Sequence, residues 1–352
     1  MKTRYLTVVL AAACASIPQG VMATAAAQVP ARDVGASEVP RTPDGRPDLQ
    51  GNWTNMWLTP FEREEGRDPS YTAAEVAQLE RLSGGCPARP GTVECGRDDN
   101  RTDASLNNEA RLSGAEYNEV YWDRGSLVAI VNGEPRTSFI TFPSNGRRPP
   151  LTPEGERRVR QDQAFREQFG PYDHPELRPL GERCVVNGST SGPAGPPIVP
   201  KTSYNGNYTI VQTADHVMIM TEMIHDARII PIADSPRLPA HVRPWFGDSW
   251  GHWEGEVLVV ETTNLNSLQT LQGISPSEDM KVTERFTRVD EETILYEFTV
   301  DDPTVYTEPW GGEVPFRRFN DLLYEYACHE GNYSFSGVLG GARYQERLAE
   351  GR

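Results

Sequence analysis

Apolar and polar positions alternate through much of the second half of the chain, and that period predicts strands. Tyr208–Thr213 and His216–Ile224 flank a turn at Ala214-Asp215. Val282–Val289 and Thr293–Val300 flank Asp290-Glu291-Glu292, and Leu322–His329 and Tyr333–Leu339 continue the pattern. Consecutive hairpins predict a mainly β fold: an antiparallel meander forming a barrel or sandwich in the C-terminal half. The first half mixes periods, which predicts an α+β region. A first strand is expected within Asp48–Leu58. A helix is expected over Ala73–Leu82, with Thr72 and Glu75 at capping-box spacing and Ala73, Val76, Leu79 and Leu82 as its apolar stripe. Leu127–Val131 and Thr137–Phe142 read as strands joined through Asn132-Gly133. Thr152 caps a second helix running to about Phe169, with Pro153 in its first turn.

Between these halves, residues 188–207 hold four Gly and four Pro, the clearest boundary in the chain. The predicted organisation is therefore an N-terminal α+β region at 48–187, this connection, and a barrel-like domain at 208–346. Residues 28–47 are rich in Pro, Ala, Arg and Gly without periodicity and read as a tether.

The hairpin within Asp248–Thr263 concentrates the most chemistry. A two-residue loop at Glu254-Gly255 sets Asp248 opposite Glu261, Trp250 opposite Val259 and His252 opposite Val257. All six share one face, and opposed Cβ atoms lie about 4.5–5.5 Å apart. Two carboxylates, an imidazole and an indole among valines suit a ligand pocket better than a core. A three-residue loop would change the register.

Ahead of the tether, Lys2 and Arg4 precede an apolar run from Leu6 to Ile17, then small residues ending Ala25-Ala26-Ala27. This predicts a secretory signal peptide at 1–27, with lipidation at Cys14 as the alternative. No other apolar run is long enough to predict stable membrane insertion. Losing Lys2 and Arg4 moves the formal charge from −16 to −18. Phosphate backbones repel so acidic a chain, which argues against nucleic acid as a partner. A mature length of about 325 residues allows one large domain or two smaller ones. Cleavage leaves Cys86, Cys95, Cys184 and Cys328, an even number expected to form disulfides after export. Of three connectivities, Cys86–Cys95 with Cys184–Cys328 is favoured, the first closing a short loop containing Pro87 and Pro90.

Other chemistry-bearing residues lie outside the hairpin. His225-Asp226-Ala227-Arg228 offers two proton carriers, His225 and Asp226, and an anion or carbonyl anchor, Arg228; a structural ion pair for Arg228 is the plain alternative. On the expected strand ending at His329, Glu325 and His329 would share a face, with Glu330 next to it. Gly247-Asp248-Ser249-Trp250-Gly251 matches a nucleophile elbow, but a β-hairpin follows where the elbow needs a helix. No local spacing supports a metal site or a nucleotide loop, so neither metal nor organic cofactor is expected.

Several phrases together resemble an uncharacterised family of secreted bacterial proteins. They are Thr42-Pro43-Asp44-Gly45-Arg46-Pro47-Asp48-Leu49, Pro149-Pro150-Leu151-Thr152-Pro153, Glu182-Arg183-Cys184, Glu222 to Arg228, Gly247-Asp248-Ser249, Trp253-Glu254-Gly255 and Tyr326 to Tyr333. The resemblance spans roughly residues 41 to 346 and carries no activity with it. Cys184 and Cys328 both fall inside such phrases, which suits pairing them.

These readings lead to an exported enzyme of the lyase, isomerase or hydrolase class acting on a small molecule through acid–base residues. His225, Asp226, Asp248, Glu261 and His329 are the expected catalytic residues; Arg228, Trp250, His252 and Glu330 are the expected ligand contacts. A periplasmic lipocalin-like binding protein is the alternative, and an envelope-interaction protein a third reading. Oligomeric state is not set by the sequence.

Overall fold

The computed structural model describes residues 39–83, 125–186, 195–200, 206–232 and 235–351. The expected signal peptide, most of the expected tether, and Cys86 and Cys95 lie outside them.

The fold is mainly β. Its first strand, β1 (Gly51–Thr54), is followed by α1 (Ala73–Leu82), then β2 (Ile130–Val131), β3 (Glu134–Pro135), β4 (Ile140–Phe142) and α2 (Pro153–Glu167). The capping box forms as expected: the Thr72 hydroxyl accepts from the Glu75 amide, and the Glu75 carboxylate accepts from the Thr72 amide. Strands β5 (Asn207–Gln212), β6 (His216–Thr221), β7 (Ala227–Pro231), β8 (Asp248–Glu254) and β9 (Val257–Thr263) follow. After them come β10 (Lys281–Arg288), β11 (Thr293–Asp301), β12 (Trp310–Arg318) and finally α3 (Tyr333–Ala349).

Nine strands run in the order β7-β6-β5-β1-β12-β11-β10-β9-β8, with β4 paired to β12 off this path. Neighbours along the path are antiparallel, so its two ends, β7 and β8, point the same way. An odd number of strands cannot close with antiparallel pairs alone. The seam is therefore parallel, and Ile232 bridges Gly251 across it in that sense. The result is a nearly closed barrel, which leaves little edge for further pairing.

One buried cluster joins both halves of the chain. Leu49, Trp53, Phe139 and Ile140 from the first half pack with Tyr208, Leu258, Phe286 and Phe316 from the second. Rings run through it in contact: Tyr208 on Phe316 at 5.5 Å, Phe316 on Tyr296 at 5.3 Å, Tyr296 on Phe286 at 5.0 Å. The barrel takes β1 from the N-terminal region, and Ile198 and Val199 of the Gly/Pro-rich connection are fully buried against it. The line drawn at 188–207 thus does not separate two cores.

Three expectations need correction. Residues 41–47 are folded rather than a tether: Arg41 bridges Pro47, the Gly45 amide donates to the Thr42 carbonyl at 2.9 Å, and Pro47 O accepts from the Gln212 side chain at 3.2 Å. Leu322–His329 is not a strand, because β11 and β1 already flank the last barrel strand, β12. Tyr333–Leu339 opens a helix; the short alternation there gives way to Phe335, Leu339 and Ala342, half-covered at helical spacing. The strand β12 went unread because Gly311, Gly312 and Pro315 look like breakers. A Cβ on Gly311 would meet the Phe298 carbonyl oxygen at 2.1 Å, so glycine there permits close backbone approach. Pro315 lies between the residues that pair with β4 and those that pair with β1, where fewer ladder bonds are required.

Candidate functional site

The chain leaves β6 at Thr221 and enters β7 at Ala227 through a one-turn 3₁₀ segment, Met223–His225. Ile224 and His225 both adopt left-handed backbone, with φ of 63° and 46°. For L-residues this costs about 1–2 kcal/mol each, and a β-branched Ile is the worse case. Local bonds hold the turn. Thr221 Oγ1 donates to the Met223 carbonyl at 2.9 Å, and the Thr221 amide donates to the Asp226 carbonyl at 2.8 Å. Ile224 is buried, and so is Glu222 beneath the turn. One Glu222 oxygen accepts from Asn207 Nδ2 at 2.7 Å, the other from the Tyr324 amide at 2.9 Å.

The His225 ring is exposed, with Nδ1 3.0 Å from the Tyr326 carbonyl oxygen. A carbonyl oxygen only accepts, so Nδ1 carries the hydrogen. In the neutral ring Nε2 is then the unprotonated nitrogen. The turn thus presents a proton acceptor whose tautomer is fixed by a backbone contact. Asp226, half-buried, follows it directly.

Two residues further, Arg228 points into the barrel and is 4% exposed. Its partner is Glu284 on β10, fully buried: Nη1 and Nη2 donate to the two carboxylate oxygens at 3.1 and 2.6 Å. Nη2 also reaches Ser249 Oγ on β8 at 3.3 Å and Thr262 Oγ1 on β9 at 3.5 Å. One side chain therefore ties β7 to β8, β9 and β10 across the parallel seam. The Tyr296 hydroxyl donates to Glu284 at 2.9 Å and accepts from the Ile198 amide at 2.8 Å. Burial first, then the Glu284 charge, push this phenol well above its ordinary pKa and keep it a donor. Ser249 lies on an antiparallel strand, paired with Thr262 near the open end of the hairpin with Oγ 2.8 Å from Thr262 Oγ1, which is not the setting of a nucleophile elbow.

The β8–β9 register differs from expectation. The loop is Gly255-Glu256, with Gly255 at φ 61°, so Glu254 pairs with Val257, Trp250 with Glu261 and Asp248 with Thr263. Asp248 and Glu261 are not opposed. The face they share with Trp250 and His252 turns away from the core, whose side carries Leu258, Val260 and Thr262. Each is engaged there. Asp248 Oδ2 accepts from the Leu238 amide at 2.9 Å, and the Arg237 guanidinium lies 3.4 Å from the Trp250 ring centroid. His252 Nε2 is 3.2 Å from Glu254, and Glu261 lies 3.5 Å from Lys281 Nζ.

No protein-family model, curated protein or solved structure matches the chain.

His329 and Glu330 are exposed on the segment between β12 and α3. Beside them Cys328 forms a disulfide with Cys184, as expected, with Cα atoms 5.7 Å apart. That bond joins the phrases around Cys184 and Cys328, and the contacts of His225 with Tyr326 and of Glu222 with Tyr324 set the His225 turn beside them. Asp248, Trp250, His252 and Glu261 remain on the flank of the barrel.

Sequence reasoning named Glu222 and Tyr326 only as the first residues of two phrases, with no role in a site, and missed Glu284. The signal for Glu284 was present: it stands between Val282 and Phe286 on the apolar parity of its strand. A directly opposed carboxylate pair exists elsewhere, Glu297 on β11 and Glu313 on β12. They line an outer cleft of about 160 Å³ with Phe142 and Arg285. Burial first, then Glu313, raise the Glu297 pKa, against the opposing pull of Arg285.

Proposed function

We propose that this chain is an exported acid–base enzyme that works on a small molecule at the Glu222–Arg228 end of the barrel. His225 is the general base. Its Nε2 takes a proton from the substrate, or from a water that attacks it, and the Tyr326 carbonyl stabilises the imidazolium that results. Asp226 is the adjacent carboxylate, and Glu222 shapes the turn. Arg228 serves as scaffold, its charge already met by Glu284. The observation that carries this reading is the 3.0 Å contact between His225 Nδ1 and Tyr326 O on a strained turn. Strained backbone persists where surrounding structure over-determines it, and such places cluster at functional sites. Lyase, isomerase and hydrolase chemistry all use such a base.

The Cys184–Cys328 disulfide supports an oxidising compartment, and no helix among the described residues is long and apolar enough to cross a membrane. A lipocalin-like ligand would lie inside the barrel, where stacked rings and the Arg228–Glu284 pair occupy space, so the enzyme reading has more support.

The test is turnover by the purified exported protein across a panel of small esters, lactones, epoxides, hydroxy acids and enolisable ketones. Turnover that His225→Ala abolishes is the expected result. Saturable binding without turnover would overturn the enzyme reading and favour the binding protein.

A further inference from the structure

Tyr326 O accepts two hydrogen bonds. One comes from His225 Nδ1 at 3.0 Å; the other comes from the Cys328 amide at 2.9 Å. Cys328 is bonded to Cys184 across a sequence separation of 144 residues. Cys184 is buried beside the fully buried Val186, and its segment is braced by the Val185 amide donating to the Leu180 carbonyl at 3.0 Å. Asn332 adds a second tie, donating from Nδ2 to the Glu182 carbonyl at 2.7 Å.

The rest of the segment carrying Tyr326 is held by polar contacts, the Tyr324 amide donating to Glu222 at 2.9 Å among them. None of the residues from Phe319 to Asn332 is buried, and the helix after it, α3, has no buried residue. Apolar packing, the usual way to hold a carbonyl to a few tenths of an ångström, is thin here. The covalent tie stands two residues from the carbonyl that sets the His225 tautomer.

We propose that the Cys184–Cys328 disulfide is a positioning device for His225, and that its reduction releases the imidazole from the Nδ1–H form. This rests on His225 being the base of the proposed reaction. Reduction by dithiothreitol gives two cysteine thiols for two electrons and two protons, and the reagent closes to its own cyclic disulfide. Tyr326 O then moves with its segment, and the ring reverts to the Nε2–H tautomer that free imidazole side chains favour. Nε2 no longer offers a lone pair, and base catalysis falls although no residue of the turn has changed.

The test is nitrogen-15 and carbon-13 NMR of the histidine-labelled full chain, with the His225 signals assigned through His225→Gln. In the oxidised protein His225 should be in the Nδ1–H form. In Cys184→Ser/Cys328→Ser it should shift to Nε2–H, with the barrel still melting cooperatively. Should that variant fail to fold, mild reduction of the folded wild-type protein makes the same comparison. Retention of the Nδ1–H form without the disulfide would overturn the proposal. The two readings fail separately. A tautomer that follows the disulfide while His225→Ala keeps full turnover removes the base and leaves the coupling. Turnover that needs His225 but ignores the disulfide removes the coupling and leaves the base.

Discussion

Arg228 on β7 and Glu284 on β10 meet inside the barrel in a bidentate pair of 3.1 and 2.6 Å, spanning two intervening strands. Both ions are out of water, so their attraction offsets a desolvation cost of several kcal/mol each. The pair ties strands on either side of the parallel seam, where the backbone ladder is weakest. Arg228→Met leaves an unpaired buried carboxylate and should cost about 3–5 kcal/mol. Adding Glu284→Leu should recover much of that loss, a non-additivity that chemical denaturation of both variants measures.

Gly255 opens the β8–β9 loop at φ 61°, and a Cβ there would meet nothing within 4 Å. Any loss on substitution is therefore backbone conformation rather than collision. Gly255→Ala should cost about 1–2 kcal/mol, and Gly255→Asn distinctly less, since Asn tolerates the left-handed region. Equal losses in the two variants, read from denaturation midpoints, would point to a different turn.

Glu297 faces Glu313 directly, while Glu313 is held by Arg136 at 2.8 Å. Burial and the neighbouring carboxylate raise the proton affinity of Glu297 on folding. A raised carboxyl contributes stability below the unfolded carboxylate range and loses it as pH rises through its folded value. Glu297→Gln should accordingly melt above wild type at neutral pH, with the gap closing as pH falls into the ordinary carboxylate range. A gap independent of pH would remove the like-charge account.

Local devices were readable in the chain. The Thr72–Glu75 capping box and the β5–β6 and β10–β11 hairpins depend on residues close in sequence, and they form near the expected positions. The β8–β9 loop moved by one residue because Gly255 supplies positive φ as readily at the first loop position as at the second. Its inward face was unreadable from pattern alone: Val257 and Val259 on one side balance Leu258 and Val260 on the other. Ring closure was out of reach. Trp53 pairs with Tyr208 and Arg318, partners that no local period announces. The candidate site was half visible, as His225-Asp226-Ala227-Arg228. Its other half, Tyr326 O, comes from 101 residues further along the chain, a contact that no local pattern announces.

The central claim is that His225 is the base, and it is tested by kcat/KM on the fastest substrate of the panel for His225→Ala beside His252→Ala. Both imidazoles are exposed, but His225 is set on the strained turn and His252 on the outer face of β8. General-base loss predicts a fall of about 10²–10⁴-fold for His225→Ala, in a variant that still melts cooperatively. His252→Ala should keep the wild-type rate. Wild-type turnover in His225→Ala, or an equal fall in both variants, would contradict the account.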